Sequence, residues 1–373
     1  MEGRTWEERF AALSPWWVLT GATLVRLATL RGIGWAPNLA GFLIFTSDPW
    51  GDPPIDPAGG YITGSILGPV VAHALHLGGK HAFVAFHLVV LAIAAATTVA
   101  LVERFVGRVA ASAAAIVLIA SPMSNVLLSW LGQPDPWVLL GGTLVAVAGL
   151  ARGRQLHTGD DHGTPAADPS VPVAPFGVIA ALAVTGGLIG GLASFEQAAI
   201  AVVLLAVLTI PDGDRDQRVA VGGAIAGVVL GRIGVFAFHE VSDVPFATRL
   251  QAAQAIGIDR LVKDAFVELP ALLWSMAGGG WLLVADAVRR HDPPWRFRAL
   301  LIGLGAFAAC AVASDETRVV TLVLWPALLR LAVDHVGREP SPAVVRTVAW
   351  TLVLGLAVPP VVVQGAVVFA SRF

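Results

Sequence analysis

The sequence predicts an all-α fold: a polytopic transmembrane helical protein of about 11 spans, with amphipathic interfacial helices in its outer loops. Three observations carry this. Of the 373 residues, 56% are hydrophobic and 13% charged, and the mean hydropathy is +0.75, which places the chain in the membrane class. Apolar runs close to the ~20 residues that a span needs recur along the whole length. None shows the period-two alternation of a membrane barrel. The formal net charge of −2 argues against a nucleic-acid partner. Cys310 is the sole cysteine, so no disulfide forms within the chain, and it reads as a small core residue.

Taken in order, spans are expected at 14–31, 81–102, 109–128, 136–152, 175–192, 196–211, 219–238, 269–288, 298–313, 318–335 and 347–370. The first follows MEGRTWEERFAALSPWW, which lacks a small-residue cleavage site and is expected to lead into a retained anchor. Pro122 interrupts the third. Gly186, Gly187, Gly190 and Gly191 sit in the fifth, where that spacing of small residues lets helices pack closely. Ser65–Gly79 is too short and too glycine-bounded to cross. Val244–Leu269 places Phe246, Leu250, Ala253, Ile256, Leu261 and Phe266 at helical period. Both segments are expected to lie in the interface. The Gly-, Pro- and Asp-rich run from Arg152 to Pro175 is expected to be a linker. No internal repeat is found, and one transmembrane domain covers 1–373.

The arginines orient the chain. More of them fall in the loops that share a side with the N-terminus, which predicts a cell-membrane protein with its N-terminus cytoplasmic and its C-terminus outside. The polar spots then collect on the outer side. TSDPWGD brings Asp48 and Asp52, LGQPDPW brings Gln133 and Asp135, SFEQ brings Glu196, and SDETR brings Asp315, Glu316 and Arg318.

Each has a plain reading beside a functional one. Asp48 and Asp135 each precede a proline, a common way to start a helix. Asp135 does precede an apolar run, whereas Asp48 is followed by Asp52 and Asp56 without a span between. A carboxylate at a dry interface can act as a base. Gln133 and Asp135 have side chains suited to sugar or head-group hydroxyls, or mark an ordinary turn. Glu196 sits at a tight turn between apolar runs, where an ionisable group must be wet or paired. Asp315 and Glu316 suit a helix N-terminus. Arg318 does not, and either pairs with Asp315 or binds a phosphate. Arg26 and Arg232 lie deeper and must find partners or water. His73, His76, His81 and His87 cluster in sequence, where an interfacial position is the plain reading; His73 and His76 share a helix face, but not at a zinc spacing.

These outer-loop motifs resemble the GT-C superfamily of integral-membrane glycosyltransferases. The matching pieces are Asp48 and Asp52 before an interfacial helix, LGQPDPW opening a later span, and SDETR entering a late one. The closest likeness is to polyprenyl-phosphate-dependent, mannosyltransferase-like members. It departs in the first loop, where the two carboxylates are four apart rather than a close pair. The resemblance implies a polyprenyl-phosphate-linked sugar donor, Asp48 or Asp52 as catalytic base, and a substrate site from Gln133, Asp135, Glu196, Asp315, Glu316 and Arg318. Membrane lipids are then the other partner, and no cofactor or metal is expected. The alternatives are a transporter or flippase, or a non-catalytic membrane scaffold.

Overall fold

The structure is a computed structural model that describes residues 4–29, 34–36, 38–51, 62–150, 175–211, 213–244, 248–311, 313, 316–337, 340–358, 361–364 and 367–370. It is almost wholly helical. In chain order come α1 (Trp6–Ala11), α2 (Pro15–Thr29), α3 (Leu39–Ser47), α4 (Leu67–Ala74), α5 (Lys80–Phe105), α6 (Arg108–Ala120), α7 (Pro122–Ser129) and α8 (Asp135–Ala148). There follow α9 (Phe176–Thr209), α10 (Arg215–Ser242), α11 (Arg249–Ile256), α12 (Ile258–Val267), α13 (Leu269–Ala277), α14 (Trp281–Arg290), α15 (Pro293–Ala311), α16 (Glu316–Val336) and α17 (Pro342–Ala357). Strands are minor. β1 (Gly34–Trp35) pairs in parallel with β2 (Trp130–Leu131), and β3 (Val361–Gln364) pairs antiparallel with β4 (Val367–Ala370).

Five helical stretches are long and apolar enough to cross a membrane: α5, α9, α10, α13 with α14, and α16. The pair α6–α7, bent by 60°, makes six if taken as one span. The last expected span, 347–370, is corrected. Helix α17 ends at Ala357, and the valine-rich run beyond it folds as the β3–β4 hairpin. Hydropathy does not separate a helix from an equally apolar β-branched strand. The interfacial segments are helical over shorter lengths, as α4 and as α11–α12, the latter broken at Gly257. Phe246 and residues 151–174 of the expected linker lie outside the described residues.

Three helices form the centre. Every residue of α6 from Ala110 to Ala120 is buried, as are nearly all of α8 and α16. A helix that is apolar all round belongs inside. One chain of buried hydroxyls ties α5, α8 and α16. Trp325 Nε1 donates to Thr143 Oγ1 at 2.9 Å, and Thr98 Oγ1 donates to Ala94 O at 2.8 Å. The Thr98 hydrogen is thus used, so the 3.0 Å contact between Thr143 and Thr98 is donated by Thr143.

Glycines bring α8, α9 and α10 into backbone contact. A Cβ on Gly141 would meet Gly186 O at 2.6 Å, one on Gly187 would meet Ala224 O at 2.2 Å, and one on Gly227 would meet Val184 O at 2.2 Å. The expected close packing at this glycine cluster is therefore observed. Helix α9 itself is not straight. Residues eight apart in a straight helix lie about 12 Å apart, yet a Cβ on Gly190 would sit 2.9 Å from the Cβ of Ala198. The chain turns back at Ser194, whose φ of −164° and ψ of 94° leave the helical range.

The bundle has two ends. The proximal end holds α1, where Thr5 and Glu8 form a capping box and Arg346 donates to Glu7 at 2.9 Å. The backbone N–H of Glu7, together with Arg346, outweighs burial and holds this carboxyl below the usual carboxylate range. Glu103 with Arg108, and Asp286 with Arg289, Arg290 and His335, belong to the same end. The distal end holds the C-terminus of α3, the N-termini of α8 and α16 and the turn at Ser194.

Replacing Thr143 by Val keeps the side-chain shape but strands the Trp325 N–H. The expected cost is about 1–3 kcal/mol, read as a lowered midpoint of reversible unfolding in detergent; an unchanged midpoint would refute the hydroxyl chain.

Candidate functional site

Helices α8 and α16 run side by side in the same direction. Gly142 packs on Trp325 and Pro326, and at the distal end of the two helices Asp135 faces Arg318. Arg318 Nε lies 3.3 Å from Asp135 Oδ2, and each side chain is only 3% exposed. Asp135 sits in the first turn of α8, where the helix dipole favours a carboxylate. The same dipole disfavours Arg318 in the first turn of α16, so the cation's position depends on Asp135. Beside it, Thr317 donates to Ser275 at 3.1 Å and ties α16 to α13.

Toward the same end of the bundle several buried polar side chains lack hydrogen-bond partners among the described residues. Gln133, 3% exposed, and Gln197, 1% exposed, have neither amide atom bonded. Ser194 Oγ, Asn125 Oδ1, His87 Nε2 and Trp137 Nε1 are likewise enclosed and unbonded. Buried polar atoms are nearly always satisfied, so their gathering at one end marks a candidate binding region. Glu196 is half-buried at the turn, next to Gln197.

The other expected residues fall as follows. Asp48 closes α3 and is exposed. Its carboxylate lies over its own turn, where a Cβ on Gly51 would meet Oδ2 at 2.2 Å. It shares the distal end with the Asp135–Arg318 pair through Phe45, which packs in one cluster with Val235 and Leu192. Asp52 and Asp315 lie outside the described residues. Glu316 opens α16, and only its backbone is described. The structure therefore brings together Gln133, Asp135 and Arg318, and draws Arg318 to Asp135. His73 donates through Nδ1 to Thr46 O at 2.8 Å, and among the described residues no group of three His, Cys, Asp or Glu side chains could hold a metal ion.

No family model, curated protein or solved structure matches this chain. The site thus rests on its own geometry. Sequence reasoning passed over Gln197 although it ends the SFEQ motif, because Glu196 beside it carries the charge. It weighed His87 only as one of a histidine cluster, and it had no signal for Asn125 or Trp137.

Removing one partner of a buried pair strands the other charge, at a cost of about 3–5 kcal/mol. Arg318→Gln should therefore destabilise the folded protein far more than the double variant Asp135→Asn with Arg318→Gln. Additive losses, with the double variant costing the sum of Asp135→Asn and Arg318→Gln, would show that the two side chains are not coupled.

Proposed function

We propose that the chain is a membrane glycosyltransferase of GT-C type, moving a sugar from a polyprenyl-phosphate donor to an acceptor at the distal face. The observation that carries this reading is the gathering of polar residues from separate segments toward the end of an apolar bundle that holds the buried Asp135–Arg318 pair. In this reading the chain crosses the membrane about ten times, the eleven expected spans less the last, with the α9 hairpin contributing two transits, and the distal end faces outside.

The acceptor oxygen attacks the anomeric carbon as the bond from that carbon to the phosphate oxygen breaks. The acceptor proton passes to Asp48, and polyprenyl phosphate leaves with the bonding electrons. A phosphate leaving group needs charge stabilisation rather than a proton, and Arg318, fixed by Asp135, supplies it. Gln133, Asp135 and Glu196 hold sugar hydroxyls. Asp52, Asp315 and Glu316 complete the acidic rim.

A second reading, a transporter, is favoured by one observation. Two broken helices meet: a Cβ on Gly278, at the α13–α14 break (φ +52°), would lie 2.8 Å from both Ala120 O and Pro122 Cδ at the α6–α7 bend. Discontinuous helices build transport sites. Against it, the deep cations are engaged structurally. Arg26 donates to Ile119 O at 3.0 Å and Gly355 O at 2.6 Å, and Arg232 lies over Phe195 and Phe236 at 4.8 and 4.6 Å.

The test is release of free polyprenyl phosphate from a panel of polyprenyl-phosphate sugars by the full chain in lipid. Release is expected, with Asp48→Asn lowering turnover by about 10²-fold or more in protein that stays folded. Release that survives this variant removes Asp48 as base. No release across the panel, from folded protein, overturns the transfer reading and leaves the transporter and the non-catalytic scaffold.

A further inference from the structure

The stretch of α13 with α14, long and apolar enough to cross a membrane, ends at Arg290, which puts Arg289 and Arg290 at the proximal surface of a bilayer. Between α14 and α15, with α16 as its floor, lies a recess of about 70 Å³. Trp281 and Val284 line one wall, Ala299 and Gly303 the other, and Leu328 and Leu331 the floor. The one polar group among these side chains, the Trp281 N–H, is donated to Leu273 O at 2.8 Å. The floor is buried and the four wall residues are half-buried, so the recess opens sideways between α14 and α15. A Cβ on Gly303 would meet nothing within 4 Å, and the space beside it is open. Outside the opening Leu300 and Leu304, 58% and 55% exposed, continue the apolar surface of α15. An apolar cavity of about 150 Å³ stays dry and admits benzene, so this recess suits a few carbons of a flexible chain.

The proximal rim of the recess is basic. Within 286–298 four arginines stand against two aspartates. Asp286 is buried and met by Arg289, Arg290 and His335, and Asp292 accepts from the Trp295 backbone N–H at the start of α15. Arg289 and Arg290 still have side chains 76% and 38% exposed. Arg296, also exposed, reaches back across the turn to His291 O at 2.9 Å and Arg289 O at 3.1 Å, which fixes its guanidinium at the end of α14. The stacked rings of His291 and Trp295, 4.2 Å apart, join the ends of the two helices. From Arg290 down to Val284 is about 9 Å along a helix, and Ala299 is about one turn below Arg296. The headgroup region of a bilayer is roughly 5–8 Å deep on each side, so a phosphate held at this rim places its hydrocarbon at the level of the recess. Basic pockets between membrane helices recognise anionic head groups. We propose that the α14–α15 cleft binds one anionic phospholipid of the surrounding bilayer, its phosphate on Arg289, Arg290 and Arg296 and one acyl chain in the recess. A free phosphate would use the rim alone, and a neutral lipid the recess alone. The site lies at the end opposite the distal polar region and does not depend on glycosyl transfer.

Native mass spectrometry of the full chain in detergent tests it. The probes are dioleoyl phosphatidylglycerol, dioleoyl phosphatidylcholine, polyprenyl phosphate and inorganic phosphate. One phosphatidylglycerol is expected to bind about tenfold or more tightly than phosphatidylcholine, and inorganic phosphate at the same concentration should not displace it. Gly303→Leu fills the recess without touching a charge and should weaken phosphatidylglycerol binding by about tenfold. Arg289→Gln combined with Arg296→Gln should remove the preference over phosphatidylcholine. Arg290 and His335 still meet Asp286 in that variant, so it should fold. If it does not, high salt on the unaltered chain decides instead, and the preference should shrink. Equal binding of the two phospholipids overturns the proposal, as does binding unchanged in both folded variants. Displacement by inorganic phosphate, or tighter binding of polyprenyl phosphate than of phosphatidylglycerol, overturns it too.

Discussion

The buried contact between Asp135 and Arg318 sets the geometry on which the distal end depends. Taking two charges out of water is costly, and their attraction offsets that cost only when geometry is good. The contact therefore contributes alignment more than stability. It brings the first turns of α8 and α16 together, residues 183 positions apart, and so fixes the two helices as parallel neighbours. Everything along α8 then follows in register. Gly142 meets Trp325 and Pro326, and Thr143 receives the Trp325 N–H. The opposite face presents Gly141 to Gly186.

Within a bilayer the hydrophobic effect gives little reason for one apolar helix to prefer another, and close packing of small residues takes its place. The α8–α9–α10 seam works in this way. Backbones approach until any side chain at Gly187 or Gly227 would strike a carbonyl oxygen. The return of α9 at Ser194 depends on the same economy of volume, since Gly190 leaves room for Ala198. That return carries Gln197 into the distal interior, which links a packing motif to the candidate site.

Much of the fold is legible in the sequence because hydropathy and polar punctuation act locally. The break between 175–192 and 196–211 is readable from SFEQ, and the bend at Pro122 from the proline itself. At the β3–β4 hairpin apolar length points to a span, whereas the β-branched valines of 361–370 favour strands. The site is less legible. Arg318 has an acidic neighbour in sequence, Asp315, which makes a local partner the natural expectation; Asp315 lies outside the described residues, and the contact with Asp135 on another helix has no local signal. Asp48 is visible as a carboxylate in a polar loop, but its exposure and its position over Gly51 are properties of the turn.

The two ends of the bundle differ in which buried polar groups they leave without a hydrogen bond among the described residues: at the proximal end single atoms of otherwise engaged side chains such as Arg330, at the distal end both amide atoms of Gln133 and of Gln197. At the proximal end Asp286 is met by Arg289 at 2.7 Å, His335 at 3.0 Å, Arg290 at 3.1 Å and Thr347 at 3.3 Å, which joins α14, α16 and α17. A network with its acceptors filled rigidifies. Deeper in the bundle, Arg26 is likewise engaged, donating to carbonyls of α6 and α17. At the distal end Gln133, Gln197, His87 Nε2 and Trp137 Nε1 are enclosed without such partners. If burial alone were required there, leucine or phenylalanine would fill the same volumes without the desolvation cost of about 1–3 kcal/mol that each stranded group carries. Polar side chains in those positions are explained when a ligand or water supplies the missing bonds, and the cavity of about 10 Å³ beside His87 and Gln133 has room for roughly one water.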